Sequence, residues 1–388
     1  MFYLLIGLII AIFTLISVSK ERSSLTLGVR EFNYATMQIF LPIFLIVIGG
    51  CRWFTGSDWN NYYRFYSWHD SWESYNNGEF EILYTLLNFI CHKICPDYTF
   101  FLIIFTFLLI SLKVYAWNKI GLHYFGITFF LWYCYTMGDI TAVRQDLSIA
   151  FLFLSIPSII NKDIKKFICL STIAVCIHNA SIVWYLSYFV YWRHYKSRRK
   201  DIMRLIICFL IGFFGIHIYG LILNGLIGML PASGRIYGKI LAYSVSKSNV
   251  NYIGVLFNIL KRIIIFPFLF YYEDKIKLKC KWYSGLLSLY IFGSCIYFLF
   301  LTSFQVFQRF TNPFLILECL LLAEVYGAMN KKNKKFFFIF LILYGFMKLY
   351  KSITTLWYVK MPYYSIFNYH ERFMDWDPIL EKNIKWSF

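Results

Sequence analysis

Charged side chains are scarce in this sequence. Asp, Glu, Lys and Arg make up only 15% of its 388 residues, whereas 59% are hydrophobic and 22% are aromatic. A soluble chain of this length would need far more charge on its surface, so the composition excludes a soluble globular protein. Apolar runs of about 17–25 residues instead recur along nearly the whole chain, as is typical of membrane-spanning helices. We therefore expect one polytopic, all-α integral membrane domain over residues 1–388.

The sequence also contains few signals for metal or cofactor chemistry. It has no HExxH motif and no cluster of His and Asp at metal-ligand spacing. No glycine-rich nucleotide loop follows a predicted strand. The ten cysteines include no CxxC pair, and nearly all lie in or beside apolar segments, where buried inert thiols are expected. We therefore expect no metal and no cofactor, and a sugar donor that is not a nucleotide sugar processed with a metal ion.

The basic residues are distributed as in a multispanning membrane protein. The net charge is +18, but Lys and Arg concentrate in short loops, which indicates cytoplasmic loops rather than nucleic-acid binding. These clusters are Lys20–Arg30, Lys113–Lys119, Lys162–Lys166, Arg193–Arg204, Lys275–Lys281 and Lys331–Lys335. Twelve apolar segments alternate with them, approximately at 1–18, 35–50, 80–95, 99–116, 122–137, 145–160, 167–190, 205–230, 252–272, 283–302, 310–328 and 336–350. This pattern predicts about 10–12 transmembrane helices, including short re-entrant ones.

The first segment predicts the orientation of the chain. Residues 1–18 lack the basic region and the small-residue cleavage site of a signal peptide, so we expect them to form the first span, with the amino terminus outside. Placing the basic clusters in the cytoplasm then puts a set of polar loops on the outer face. These are 51–80, 138–144, 231–251, 303–309 and the tail 351–388, and we expect them to form the active-site face.

Two apolar segments do not fit this alternation as simple crossings. Segment 80–95 is short and begins with acidic residues, which favours a re-entrant or interfacial helix on the outer side. The strip from Phe167 to Trp192 has basic residues at both ends, so a single crossing would break the charge rule. Folded as a hairpin, each arm would rise less than about 20 Å, against a hydrocarbon core of about 30 Å. We therefore expect the strip to enter the membrane, turn near His178 and return.

Four arginines on the predicted outer face are candidates for binding an anionic group. Arg52, Arg144, Arg235 and Arg309 each lie near a predicted helix end, on the side where basic residues are disfavoured. A planar guanidinium donates paired hydrogen bonds to phosphate. The alternative is that each arginine reaches lipid headgroups or pairs with a local carboxylate.

The polar stretch from Arg52 to Glu81 supplies further candidates. Asp58, if buried by the neighbouring tryptophans, would have a raised pKa suited to a general base, although a turn or helix-cap role is the alternative. His178, in an apolar strip, is a second candidate base or a structural residue. Glu79 is a candidate for substrate binding, or an acid favoured by a helix dipole. The aromatic candidates for stacking on sugars, or for an interfacial belt, are Trp59, Tyr62 and Tyr63.

Three parts of the sequence resemble the EpsG-like branch of the bacterial O-antigen polymerases, the Wzy group. RWFTGSDWNNYYRFY resembles the family's R-x-x-x-G-x-D-x-x-x-Y block and is followed by GEFEILYTLLN. AVRQDLSIAFLFLSIPSIINKDIKKFICLSTIAVCIHNASIVW is similar to its arginine block, charged turn and IH-x-S/A block. QRFTNPF and VKMPYYSIF resemble its late arginine and PY element. By matching position, the resemblance implies functional roles for Arg52, Asp58, Arg144, His178 and Arg309, whereas Arg235 has no firm family block.

This resemblance implies a fold similar to that of the lipid-linked (GT-C-like) glycosyltransferases. It also implies that the enzyme joins oligosaccharide repeat units, both carried on undecaprenyl pyrophosphate, at the periplasmic face of the bacterial inner membrane. The implied partners are these lipid-linked glycans, the bilayer and a chain-length regulator protein, with no nucleic acid. On this view the arginines replace a metal by stabilising the departing pyrophosphate, and Asp58 or His178 accepts the acceptor proton.

Three other functions remain open from the sequence. A flippase or other transporter tends to contain two related halves with broken helices, and no internal repeat is visible. An O-antigen ligase would use the same donor with lipid A core as acceptor, but usually has one large late periplasmic loop. A membrane O-acyltransferase is the third alternative, and no pair of outer-face histidines supports it.

Overall fold

The protein is helical throughout the part that the structure describes. The computed structural model describes residues 1–20, 36–56, 58–142, 144–193, 198–214, 252–301, 305–355 and 357–367. Within these ranges the only extended pairing is an isolated antiparallel bridge between Arg52 and Ser365. The prediction of an all-α protein is therefore confirmed for the described residues.

Residues 1–182 and 330–388 form the first of two compact units. Its helices are α1 (Phe2–Lys20), α2 (Leu41–Gly50, preceded by a π-helical turn, Thr36–Phe40), α3 (Trp59–Ser67), α4 (Trp72–Tyr75), α5 (Ile82–Ile94), α6 (Tyr98–Ile120), α7 (Phe125–Thr136), α8 (Arg144–Ile160), α9 (Ile164–Ile177), α16 (Lys331–Thr354) and α17 (Trp357–Lys360). Short 3-10 helices follow α7 (Met137–Asp139) and α9 (Asn179–Leu186), and the second of them continues beyond residue 182, where this unit's first segment ends.

Helix α6 is the central element of the first unit. Its start is capped by Asp97, whose carboxylate accepts from the Thr99 amide at 2.7 Å, and its end is marked by Gly121 in the left-handed conformation. Helices α2, α8 and α5 pack against it. The approach of α2 is close because Gly50 has no side chain, and a Cβ there would lie 2.9 Å from the Ile103 Cα.

Residues 183–329 form the second unit. Its helices are α10 (Ser187–Trp192), α11 (Arg198–Phe214), α12 (Tyr252–Lys277), α13 (Tyr283–Leu299), α14 (Asn312–Leu315) and α15 (Glu318–Ala328), with a 3-10 helix at Gln305–Thr311. Helix α13 is central here, because α10, α11, α12 and α14 all pack against it.

Three helices are long and apolar enough to cross a membrane, among the residues that the structure describes. They are α6 (Tyr98–Ile120), the stretch Phe307–Ala328, which comprises most of the 3-10 helix, α14 and α15, and α16 (Lys331–Thr354). Shorter apolar helices occur at Phe2–Val18, Thr36–Gly50, Ile82–Ile94 and Tyr283–Leu299. These helices agree with the predicted membrane protein, whereas the count of 10–12 spans and the single-domain boundary stay predictions.

The two irregular segments have the local form that the sequence indicates. Helix α5 has 13 residues, which gives it a length of about 20 Å, less than the roughly 30 Å needed to cross the core. Helix α9 ends at His178, whose backbone is extended (φ −154°, ψ 116°), and a 3-10 helix follows. The break predicted at His178 is therefore present, although the depth of both segments in the membrane stays a prediction.

One expectation about the basic clusters is wrong. The sequence pattern predicts that Lys113 shares a cytoplasmic loop with Lys119, but Lys113 lies inside α6 and its side chain is fully buried. The physical reason is an acidic partner, Asp139, which lies 26 residues further along the chain and is not recognisable as a neighbour from the sequence.

Candidate functional site

The stretch after α2 is fixed against the carboxyl-terminal tail. The Trp53 amide donates to the Tyr364 carbonyl, the Ile366 amide donates to the Cys51 carbonyl, and the Arg52–Ser365 bridge lies between them. Further along, the Gly56 amide also donates to a carbonyl of the tail at 2.9 Å. Two of the predicted outer-face segments, 51–80 and 351–388, therefore meet in the first unit.

Arg52 joins a third outer-face segment to this group. Its side chain is buried, and its two terminal nitrogens donate to the carbonyls of Ile140 at 2.5 Å and Ala142 at 2.8 Å. The guanidinium therefore holds the 138–144 loop rather than facing an open space. Burial and these bonds support a structural role for Arg52, and its contact with substrate stays a prediction.

Three ionisable side chains meet at three helix ends in the first unit. Glu81 is the N-cap residue of α5, Arg144 is the first residue of α8, and His178 is the C-cap residue of α9. The helices bring them together because α9 packs against both α5 and α8. A hydrogen bond of 2.8 Å between the buried hydroxyls of Ser148 and Ser181 also ties α8 to the turn that follows His178.

Glu81 is the centre of this cluster. Arg144 Nη1 donates to its Oε2 atom, the Asn179 amide donates to Oε1 at 3.1 Å, and His178 Nδ1 lies 3.4 Å from Oε1. Burial alone would raise the pKa of this carboxyl. The interactions with His178, with the Arg144 charge and with the Asn179 amide outweigh burial and lower the pKa to about 2. Glu81 is therefore an anion at neutral pH.

Arg144 is held on its other sides by aromatic groups. Its Nε donates to the Tyr62 hydroxyl at 3.3 Å, and its Cζ lies 4.4 Å from the centre of the Phe80 ring. Burial raises the pKa of Tyr62 more than the neighbouring arginine lowers it, so the hydroxyl stays protonated. The exposed fractions of the three ionisable side chains are 21% for Arg144, 14% for His178 and 12% for Glu81. The cluster is thus partly buried and partly exposed.

The aromatic side chains of the 51–80 stretch form a packed layer beside Arg144. Trp59 is buried, stacks on Tyr63 at 5.0 Å and meets Tyr98 edge-on. Tyr62 is also buried and bonds Arg144, while Tyr63 is half-buried. The ring contacts of Trp59 and the bond from Arg144 to Tyr62 favour a supporting role for these two side chains, and their contact with a sugar stays a prediction.

The remaining predicted site residues are Asp58, Glu79, Arg309 and Arg235. Asp58 and Glu79 are exposed, so the burial expected to prepare Asp58 as a base is absent. Asp58 stands at the N-cap position of α3 without a side-chain capping bond. Arg309 is an exposed residue of the second unit, on the 3-10 helix Gln305–Thr311. Arg235, with the whole of the 231–251 loop, lies outside the described residues.

The central position of Glu81 in this cluster is not evident from the sequence. An acid at a helix start is explained equally well by the helix dipole, and Glu79 lies only two positions away. The groups that bind Glu81 are distant in sequence, with Arg144 63 positions away and the Asn179 amide 98 positions away. The one feature of the sequence that could have identified Glu81 is its position immediately before Ile82, the first residue of helix α5.

Comparison with known proteins assigns the chain to a family. A family model described as the EpsG family matches residues 35–370, which is most of the chain. No curated protein and no solved structure gives a significant match. The EpsG family is associated with polysaccharide polymerase activity, and its membrane character agrees with the apolar helices described above. The resemblance found in the sequence is thereby confirmed, and the chain belongs to the EpsG family.

Proposed function

We propose that this protein is an O-antigen or exopolysaccharide polymerase that joins lipid-linked oligosaccharide repeat units. One undecaprenyl pyrophosphate carries the growing glycan as donor, and a second carries a single repeat unit that offers a hydroxyl as acceptor. The observation that supports the proposal is the cluster of Glu81, Arg144 and His178, in which a guanidinium and an imidazole lie beside one carboxylate in a chain of the EpsG family.

Arg144 is the group proposed to stabilise the leaving diphosphate. The acceptor oxygen forms a bond to the anomeric carbon while the bond from that carbon to the diphosphate oxygen breaks, so negative charge grows on the diphosphate. A fixed cation at that position lowers the barrier because it interacts more strongly with the transition state than with the substrate. The bonds from Arg144 to Glu81 and Tyr62 orient the guanidinium before the substrate arrives. Arg309, and Arg235 outside the described residues, stay proposed as further diphosphate contacts.

His178 is the group proposed to take the proton from the acceptor hydroxyl. Its Nδ1 faces the Glu81 carboxylate, which leaves Nε2 as the nitrogen that can accept the proton. Glu81 remains ionised beside it and stabilises the imidazolium that forms. We favour His178 over Asp58 as the base because Asp58 is exposed at the start of α3, where burial does not prepare its carboxylate to accept a proton.

The proposed setting is the periplasmic side of the bacterial inner membrane. We propose that the protein crosses this membrane about 10–12 times, with short helices such as α5 remaining on the outer side. A GT-C-like arrangement and an interaction with a chain-length regulator belong to the same proposal. Both substrates carry polyprenyl chains, so we expect them to reach the cluster from within the bilayer.

The test is an assay with purified protein in lipid nanodiscs and a lipid-linked repeat unit as the only substrate. A ladder of polymers identifies a polymerase. Transfer only to added lipid A core identifies a ligase, and movement of the substrate across vesicles without polymer identifies a flippase.

The Arg144→Ala variant sharpens this assay. We expect polymer formation to fall by about 10²–10³-fold, because the diphosphate loses its main cation. Arg64→Ala is a matched control, since Arg64 is an exposed arginine of the Arg52–Glu81 stretch, and its guanidinium lies over Trp68. Equal polymer lengths and rates for Arg144→Ala and the control, at equal amounts of folded protein, would contradict the role of Arg144.

A further inference from the structure

A second ion pair lies in the first unit and has no part in the proposed chemistry. Lys113, on α6, donates to the Asp139 carboxylate, and both side chains are completely buried. Helix α6 is long and apolar enough to cross a membrane, and charges inside such helices are costly unless they are paired. A buried ion pair contributes little net stability compared with apolar residues of similar size, so stability alone does not explain its presence.

The backbone at Asp139 is strained. Met137, Gly138 and Asp139 have φ angles of 57°, 63° and 56°, which places three successive residues in the left-handed region. This conformation suits the glycine but is unfavourable for Met137 and Asp139. Such a backbone persists only where its surroundings hold it. Here the loop is buried, since Met137, Asp139 and Ile140 are each at most 1% exposed.

Two cations from two different parts of the unit hold this loop. Lys113 binds the Asp139 side chain from α6, and Arg52, just after α2, binds the carbonyls of Ile140 and Ala142. The Ala142 amide closes the turn by donating to the Asp139 carbonyl at 3.0 Å. Irregular backbone in a membrane protein needs such internal partners, because lipid supplies none. Two positions after Ala142 the chain reaches α8 and its first residue, the arginine of the cluster.

We propose that the Lys113–Asp139 pair is a positioning device for Arg144. It fixes the left-handed loop against α6, and the loop fixes the first turn of α8, from which Arg144 reaches Glu81 and Tyr62. The catalytic consequence rests on the proposed function, but the positioning itself does not. Lys113 and Asp139 therefore act through Arg144 and contact no substrate.

The first experiment measures the position of Arg144 without using activity. Phenylglyoxal modifies accessible guanidinium groups, and mass spectrometry reports the rate at Arg144. We expect this rate to rise several-fold in Lys113→Met and Asp139→Asn, because the Arg144–Glu81 pair loses its fixed geometry. Lys119→Met is the matched control, since Lys119 is an exposed lysine on the same helix. In this control, Arg144 should be modified at the same rate as in the unchanged protein.

A double variant covers the case in which a single unpaired charge prevents folding. Lys113→Met combined with Asp139→Asn leaves no buried charge at this position, so the protein should fold while the loop loses its attachment to α6. We expect Arg144 to be modified several-fold faster in this variant also. An unchanged modification rate in the folded double variant would overturn the proposal.

A double-mutant cycle then connects the position to polymer formation. If Lys113 acts through Arg144, Lys113→Met slows the polymerase in the unchanged protein but adds little to Arg144→Ala. Additive losses would instead indicate a general structural defect and count against the proposal. Faster modification of Arg144, combined with normal polymer formation in Arg144→Ala, would support the positioning device while contradicting the proposed function.

Discussion

Two glutamates, one in each unit, each lie beside a basic side chain but differ in how far their own side chains are exposed. Glu81, in the first unit, binds an arginine and lies beside a histidine, with 12% of its side chain exposed. Glu318, in the second unit, accepts a hydrogen bond from the Tyr290 hydroxyl at 2.6 Å and lies 3.6 Å from Lys261 Nζ, with only 2% of its side chain exposed. We call the first group the open cluster and the second the sealed cluster.

The difference between these clusters separates a candidate site from a structural network. The partners of Glu81 come from helix ends, and their side chains are partly exposed. Glu318 and Tyr290 lie in regular helices of the second unit, and Tyr290 is fully buried. We therefore place the proposed site at the open cluster, where the charged groups are partly exposed at helix ends.

The largest expected effect concerns His178, in the open cluster. His178→Asn keeps a polar side chain of similar width but removes the group that accepts the proton, so we expect polymer formation to fall by about 10²–10⁴-fold. The measurement is the initial rate with lipid-linked repeat unit, together with its pH dependence. Thermal stability equal to that of the unchanged protein is the control for correct folding of this variant. If His178→Asn kept the full polymerisation rate, the open cluster would have no greater part in catalysis than the sealed cluster.

A smaller effect is expected for the stability of the first unit at acidic pH. The pKa of Glu81 is lowered to about 2 in the folded protein, from an ordinary value of 4.5. A lowered pKa means that this carboxylate stabilises the fold above its unfolded-state pKa, and that the contribution disappears as the pH falls from about 4.5 to about 2. The contribution is at most about 3 kcal/mol, before screening by solvent reduces it.

Thermal unfolding between pH 5 and pH 2 measures this contribution. Glu81→Gln should remove the corresponding part of the pH dependence, since the amide does not titrate in this range. A pH profile that is identical in the two proteins would show that the ion pair with Arg144 does not form in the folded state.

The smallest effect on activity is expected at the sealed cluster. Glu318→Gln keeps the shape of the side chain and a hydrogen-bond acceptor for Tyr290, but it leaves Lys261 without this carboxylate. We expect a loss of about 1–3 kcal/mol in stability, measured by thermal unfolding in detergent. The polymerisation rate per folded molecule should stay the same. A large loss of rate without a loss of stability would place Glu318 in the catalytic machinery and erase the comparison.

The helical membrane class could be predicted from the sequence because it depends on local composition. The apolar run at 99–116 predicts α6, and its apolar length is enough to specify a helix wherever it packs. The break at His178 also follows from local information, namely basic residues at both ends of a strip that is unsuited to one crossing and too short for two.

The site was only partly predictable because its contacts join distant parts of the chain. Arg144 and His178 are recognisable as candidates, since each is an unusual residue beside an apolar segment. Their partner Glu81 is not, because its local position has an ordinary explanation at a helix start. Conversely, Arg52 and Trp59 look suited to bind substrate in the sequence, and their burial against backbone carbonyls and aromatic rings cannot be read from their neighbours along the chain.

The sequence by itself determined that this chain is a helical membrane protein of the EpsG family, because hydrophobicity and short motifs act locally. Tertiary structure decided which ionisable groups meet. The energy of a charge depends on its burial and on its nearest partners, and both are set by the packing of helices that are far apart in sequence. For that reason Lys113, which resembles a loop residue in the sequence, lies buried against Asp139, while the partly exposed Glu81 lies where Arg144 and His178 converge.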